Sequence, residues 1–309
     1  MTFSAKDVAD LRLKTGAGMM ECKNALKESN GSIEKASEIL RQKGLSAAAK
    51  KSEKTTLEGI VASKIASDKK SGALLELNTQ TDFVAKNEQF IELAKTMLDA
   101  ILSNKPASVE QMLTLKVSGT LISEIVSSKI ATIGENIQLR RFELFQSGNE
   151  NSIVGTYIHP VGNKIGVLIK LTTSSNISGE ISEVEELAKN IAMHIAASQP
   201  QPEYIDSTTI PKNIIENERR IELGKEDLAK KPKEIAEKIV QGRLEKILSQ
   251  RCLMSQPYIK DPSITIEKLI KEKNNRLNTD IKIAQFVRYN VGEMLEKDAA
   301  KEKTTACVE

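Results

Sequence analysis

Gly72-Ala73-Leu74-Leu75-Glu76-Leu77 returns 94 residues later as Gly166-Val167-Leu168-Ile169-Lys170-Leu171. The helical pattern behind it returns with the same shift, as Glu92-Leu93-Ala94-Lys95 and Glu186-Leu187-Ala188-Lys189. Two matches at one offset mark a repeated hairpin-plus-helix unit. In the first copy, residues 59–65 and 73–77 read as strands across a turn at Asp68-Lys69-Lys70-Ser71-Gly72. An amphipathic helix over about residues 87–102 follows. The second copy carries a hairpin near Tyr157-Ile158-His159-Pro160. The fold class is therefore α+β, with two related core subdomains.

Outward from the repeats the chain turns helical. Residues 5–14, 19–28 and 33–43 read as three short helices, broken at Thr15-Gly16-Ala17-Gly18 and at Asn30-Gly31. Val8 and Leu11 face one way on the first, and Met19, Cys22, Ala25 and Leu26 keep helical spacing on the second. Ser32 suits the cap of the third, and Gly44 its end. Residues 47–56 read as a lysine-bearing linker. Helix is expected over about 108–131. Pro211 and Pro232 open two charged helices, with an apolar seam at Ile214, Ile221 and Leu228 on the first. The second carries Ile235, Ala236, Ile239, Val240, Leu244 and Ile247, so the pair reads as a short antiparallel coiled-coil-like hairpin. Two more helices are expected over 264–297, and a disordered tail at 299–309.

Composition narrows the function. Forty-five basic and 42 acidic side chains leave a net charge of only +3, which argues against a domain-wide phosphate-binding field. There is no Trp and aromatics are 3%, too few for a base-stacking platform. Cys22, Cys252 and Cys307 form no CxxC pair or disulfide framework, which suits a reducing cytosol. No apolar run approaches the roughly 20 residues that span a bilayer. His159 and His194 are the only histidines, so a His-rich metal site is excluded. Gly16-Ala17-Gly18 follows a helix, not a strand, so it reads as a turn and not a phosphate cradle.

Thr81-Asp82-Phe83-Val84-Ala85-Lys86-Asn87 is the most informative segment. One reading is a strand-to-helix junction, with Thr81 or Asp82 capping and Phe83 filling the core. The equivalent segment of the second copy, residues 175–181, supports that reading, because Asn176 and Ile177 again set a capping residue before an apolar one. The other reading makes Phe83 an anchor for a protein partner, the charge of Asp82 and the ring of Phe83 being what the second copy lacks. A helical adaptor working through the N-terminal bundle alone is a separate alternative. An enzyme has only scattered carboxylates in its favour.

Leu11-Arg12, the run from Lys14 to Leu26, the segment from Thr81 to Asn87, Ile133-Gly134-Glu135-Asn136, the run from Lys231 to Ala236, Gln256-Pro257 and Val291-Gly292-Glu293 occur in order along nearly the whole chain. On these residues the chain resembles the elongation factor Ts family, nucleotide-exchange factors of the GTPase elongation factor Tu. The resemblance implies a UBA-like (ubiquitin-associated-like) three-helix domain with linker at 1–54 and core subdomains at 55–145 and 146–205. It further implies a protruding coiled-coil hairpin at 206–250 and, at 251–309, the end of the core with a C-terminal helical module. In the family an Asp-Phe tip enters the GTPase in its GDP state, disturbs the magnesium and phosphate site and promotes GDP release. That role would fall to Asp82 and Phe83, flanked by Thr81 and Val84. Arg12, Met19, Met20 and Lys23 would contact the partner's nucleotide domain, and Ile133, Gly134 and His159 would support the tip. The resemblance implies a cytoplasmic protein with no cofactor, no metal of its own, and no direct contact with nucleic acid or membrane. It leaves a homodimer, a 1:1 complex and a 2:2 complex open.

Overall fold

The computed structural model describes residues 3–148, 151–174, 181–228 and 231–294. Three helices open the chain: α1 (Ala5–Thr15), α2 (Met19–Glu28) and α3 (Ile33–Lys51). Gly16 ends α1 in left-handed geometry (φ 70°), a conformation that favours glycine. Ser32 caps α3, its hydroxyl accepting from the Lys35 N–H. Val8, Leu11, Cys22, Ala25, Leu26 and Ala36 close a small core. The chain does not stop at Gly44, as its sequence suggests. There α3 lies against α7 (Ile122–Ile133), Gly44 facing Ser127 and Ala131, and this tertiary contact overrides a glycine helix penalty of about 1 kcal/mol.

Each repeat is a three-stranded antiparallel sheet with one long helix on it. In the first, β1 (Glu58–Ile65) and β2 (Ser71–Thr79) form the hairpin. After them come α4 (Asp82–Ala85), α5 (Glu88–Asn104) and α6 (Val109–Leu113). A small hairpin, β3 (Lys116–Val117) and β4 (Thr120–Leu121), then leads into α7 and β5 (Gln138–Gln146), which completes the sheet in the order β1-β2-β5. The helix expected over 108–131 is thus split. Ser118 and Gly119 both have positive φ, the geometry of a tight two-residue hairpin turn. Phe90, Leu93, Ala94, Met97, Leu98 and Ile101 of α5 form the core with the sheet and α7.

The second repeat runs β6 (Ser152–Ile158), β7 (Ile165–Thr173) and α8 (Ile181–Ala197). Here β7 is β2 displaced by 94 residues at both ends, Ser71 matching Ile165 and Thr79 matching Thr173. Before the third strand the chain inserts α9 (Lys212–Leu223) and α10 (Lys233–Arg251). Arg251 pairs with Glu218 at 3.2 Å and Arg243 with Glu222 at 3.6 Å, so the two helices run antiparallel. Leu228, Ala236, Val240 and Leu244 are buried in one cluster, but the expected seam forms only in part: α9 ends at Leu223, Leu228 sits in a short turn beyond it, and Ile221 and Ile235 are exposed.

A short β8 (Pro257–Tyr258) and β9 (Asp261–Thr265) precede α11 (Ile266–Leu277) and β10 (Ile281–Asn290). Among the described residues, α11 is the one of the two expected C-terminal helices that forms. Residues 281–290 are instead the third strand of the second sheet, ordered β10-β7-β6. A bulge between Ile283 and Gln285 shifts the strand's register and hides its alternation in the sequence. The tail at 299–309 lies outside the described residues, as does the comparison segment 175–180.

The two sheets pack face to face through Val61, Leu74, Phe145, Val154, Leu168 and Tyr289. A buried ionic latch then joins Tyr289, Gly292 and Glu293, at and just beyond the end of β10, to the first sheet. Glu76, fully buried, accepts from Arg141 Nε (2.7 Å), Arg140 Nη1 (3.1 Å) and the Gly292 N–H (3.0 Å). Arg141 also donates to Glu293 (2.6 Å) and stacks over Tyr289 at 4.0 Å. A buried charge is tolerated when it is paired and hydrogen-bonded, and here both conditions hold. Gln256 is a second such node. Its amide donates to the Pro200 and Gln250 carbonyls at 2.9 and 2.7 Å, and its oxygen meets His194 Nε2 at 3.0 Å.

Candidate partner-binding site

At the end of β2 the chain makes one short turn of helix before α5. Thr81 caps that turn, its hydroxyl accepting from the Val84 N–H at 3.4 Å. Asn87 caps α5 two residues after α4 ends, accepting from the Gln89 N–H at 2.8 Å. Ala85 is buried and Val84 packs against the first core, so the inner side of the turn is anchored. Phe83 points the other way and is 81% exposed. It therefore does not fill the core, where Phe90 sits instead. Asp82 holds Lys86 Nζ at 2.7 Å on the surface, and that hydrogen bond keeps its carboxyl below the usual Asp range.

Glu135 braces the turn from behind. One carboxylate oxygen accepts from the Thr79 hydroxyl (2.9 Å), the Gln80 N–H (3.2 Å) and the Thr81 N–H (3.0 Å). The other accepts from the Thr81 hydroxyl (2.7 Å). Burial opposes the charge on Glu135, but these donors outweigh it and hold its carboxyl below the ordinary Glu value. Sequence reasoning noted Glu135 within the motif Ile133-Gly134-Glu135-Asn136 but assigned it no role. It lies 54 positions from Thr81, and no local pattern links the two.

Ile133 and Gly134 end α7 beside the brace, Gly134 in left-handed geometry (φ 93°). His159 is half-buried on the β6–β7 turn; its N–H donates to the Ile165 carbonyl at 2.9 Å, and its Nδ1 lies 3.4 Å from the Tyr157 hydroxyl. That turn lies against β1, the Val61 N–H donating to Asn163 O at 2.7 Å and Lys164 pairing with Glu58. Lys164 also adds a small positive field to Asp82. Val161, exposed on the same turn, was not anticipated.

Arg12, Met19, Met20 and Lys23 are all exposed on α1 and α2, the two methionines by 57% and 64%. Met19 thus stands outside the core that its helical spacing suggests. These four sit on the N-terminal unit, whose α3 packs on α7. Arg41–Glu124 and the Lys51 ammonium on the Gly134 carbonyl (2.6 Å) hold that contact. Cys22 and His194 are packed side chains, both buried. No described helix is long and apolar enough to cross a membrane.

The family model for Elongation factor TS matches residues 80–293. An Elongation factor Ts of Nostoc sp. is 43% identical over 298 residues, covering 96% of this chain and 94% of the relative. One from Clostridium acetobutylicum is 44% identical over 297 residues, with 96% and 94% covered. One from Syntrophotalea carbinolica is 42% identical over 299 residues, with 96% and 95% covered. With two α+β repeats and these matches along nearly its whole length, the molecule is a translation elongation factor. It belongs to the elongation factor Ts family.

Proposed function

We propose that this chain is the nucleotide-exchange factor of the GTPase elongation factor Tu, and that Thr81-Asp82-Phe83-Val84 is the tip that acts on it. The observation that carries this reading is Phe83, an aromatic ring 81% exposed on a turn whose backbone is held from behind. A ring on a fixed mount loses little conformational freedom on binding, and rings of this kind anchor protein interfaces. Burying it in the partner supplies about 1.5–3 kcal/mol. Asp82 travels with it. Its pair with Lys86 is exposed and therefore weak in water, so partner groups readily replace Lys86. A carboxylate arriving beside the partner's Mg²⁺ disturbs a cation that demands near-octahedral oxygen ligands. GDP release follows, with no covalent chemistry from this chain.

Arg12, Met19, Met20 and Lys23 form the second contact in this reading, with Ile133, Gly134 and His159 flanking the tip. The working division is the UBA-like unit with linker at 1–54, core at 55–145 and 146–205, the coiled-coil hairpin at 206–250, and the return to the core from 251. The protein works in the cytoplasm, with the GTPase as its direct partner. Nucleotide and factor must weaken each other's binding to the GTPase by the same factor. Titrating the chain against elongation factor Tu, nucleotide-free and then with GDP and Mg²⁺, tests this. Tighter binding to the nucleotide-free form is expected; equal binding to both contradicts exchange.

A further inference from the structure

We propose that Glu135 is a positioning residue for exchange, the middle of a three-residue strut, Gly134-Glu135-Asn136, that fixes the N-terminal helices and the Phe83 turn to one another. The proposal rests on the reading of Phe83 as the inserting group.

Three consecutive residues face two parts of the molecule. The Gly134 carbonyl accepts from Lys51 at the end of α3. The Asn136 amide, buried, donates to the carbonyls of Lys54 (2.9 Å) and Ser52 (3.4 Å) in the linker behind α3. Between them, Glu135 takes four donors from Thr79, Gln80 and Thr81. The exit of the N-terminal unit and the entry to the tip are thus tied to one loop.

The brace does more than cap a helix. Thr81 caps α4 with its own hydroxyl. Glu135 instead fixes the two peptide units before the turn, and with them the direction of Phe83. Hydrogen bonds to an ionised acceptor are the strong ones, and two of these donors are backbone N–H groups that cannot swing away. A partner that meets α1–α2 and Phe83 together gains from the fixed spacing, because the second contact then forms at high effective concentration. The strut therefore serves two measurable quantities: Glu135 the action of the tip, and Gly134 with Asn136 the grip of the N-terminal unit.

The test uses full-length protein with Glu135→Ala, Glu135→Gln, Asn136→Ala and Phe83→Ala. Two readouts are taken: amide hydrogen exchange at residues 80–85 of the free protein, and GDP release from elongation factor Tu over a range of factor concentrations. Glu135→Ala should lower both the protection of the Thr81 amide and the maximal release rate by about tenfold, the scale of a lost charged hydrogen bond. Its half-maximal concentration should change little. Glu135→Gln keeps one acceptor oxygen and should fall between wild type and alanine; it also serves if Glu135→Ala folds poorly. Asn136→Ala should raise the half-maximal concentration and leave the maximal rate. Unchanged protection in both Glu135 variants overturns the strut, whatever Phe83 does. A wild-type maximal rate in Glu135→Ala, with Phe83→Ala inactive, overturns the positioning role. Wild-type release by Phe83→Ala overturns the inserting role of the ring and the positioning role with it, and the exchange protection still judges the brace.

Discussion

Gly166 of the second repeat lies against Val61 of the first, so closely that a Cβ on the glycine would sit 2.4 Å from the valine's Cγ1. The relation is reciprocal: a Cβ on Gly72 would meet Val154 Cγ1 at 2.6 Å. The two glycines that open the repeated hexapeptides are thus the places where each sheet receives the other's valine. Gly166→Ala and Gly72→Ala should each lose about 1–3 kcal/mol, as overpacked cores do. Gly148, with nothing within 4 Å of its Cβ position, is the control whose alanine variant should unfold with wild type in urea.

The latch on Glu76 is expected to be strongly coupled. Glu76→Leu leaves Arg140 and Arg141 without their buried carboxylate and should cost about 3–5 kcal/mol. Adding Arg141→Met to it should recover part of that loss, since two apolar groups can replace a buried pair. A double-mutant cycle from urea unfolding measures the coupling; strictly additive losses would contradict the latch.

Acid should weaken the second repeat through His194. Its Nδ1 accepts from the Ile259 N–H at 3.3 Å, so the ring is neutral with its proton on Nε2, facing Gln256 Oε1. Burial pushes its pKa below the ordinary 6.5, outweighing the opposite effect of Gln256. The unfolded chain then binds the extra proton first, so stability falls as pH drops through about 6.5 and stops falling below the folded value. His194→Gln should flatten that part of the urea stability profile.

Glu135 gives a second acid window, lower down. Its folded pKa is depressed, so its contribution is fully present above the ordinary 4.5 and is lost as pH falls through the folded value. Amide exchange at Thr81 should accelerate there in wild type, relative to its intrinsic pH dependence, and much less in Glu135→Gln.

How much of this was legible in the sequence depends on the range of the interaction. The repeats, α2, α5 and the antiparallel helix pair follow from local periodicity and caps. Strand β10 was not legible, because its bulge breaks the alternation and its partner β7 lies over a hundred residues away. Gly44 carries a local stop signal that packing on α7 overrides. Phe83 illustrates the limit at the site. The pattern of Thr81-Asp82-Phe83-Val84, with Asn176-Ile177 at the equivalent place in the second copy, favours a core plug over a partner anchor, and only three-dimensional packing shows the ring outside. The donors that converge on Glu135 come from across 54 residues of chain.

The most direct measurement is labelled GDP release from elongation factor Tu with wild type, Phe83→Ala and Asp82→Ala/Phe83→Ala. Because Phe83 is exposed, Phe83→Ala should unfold at the wild-type urea midpoint while losing most of the acceleration, and the double variant should lose the rest. Acceleration equal to wild type by the double variant would contradict the assignment of the tip.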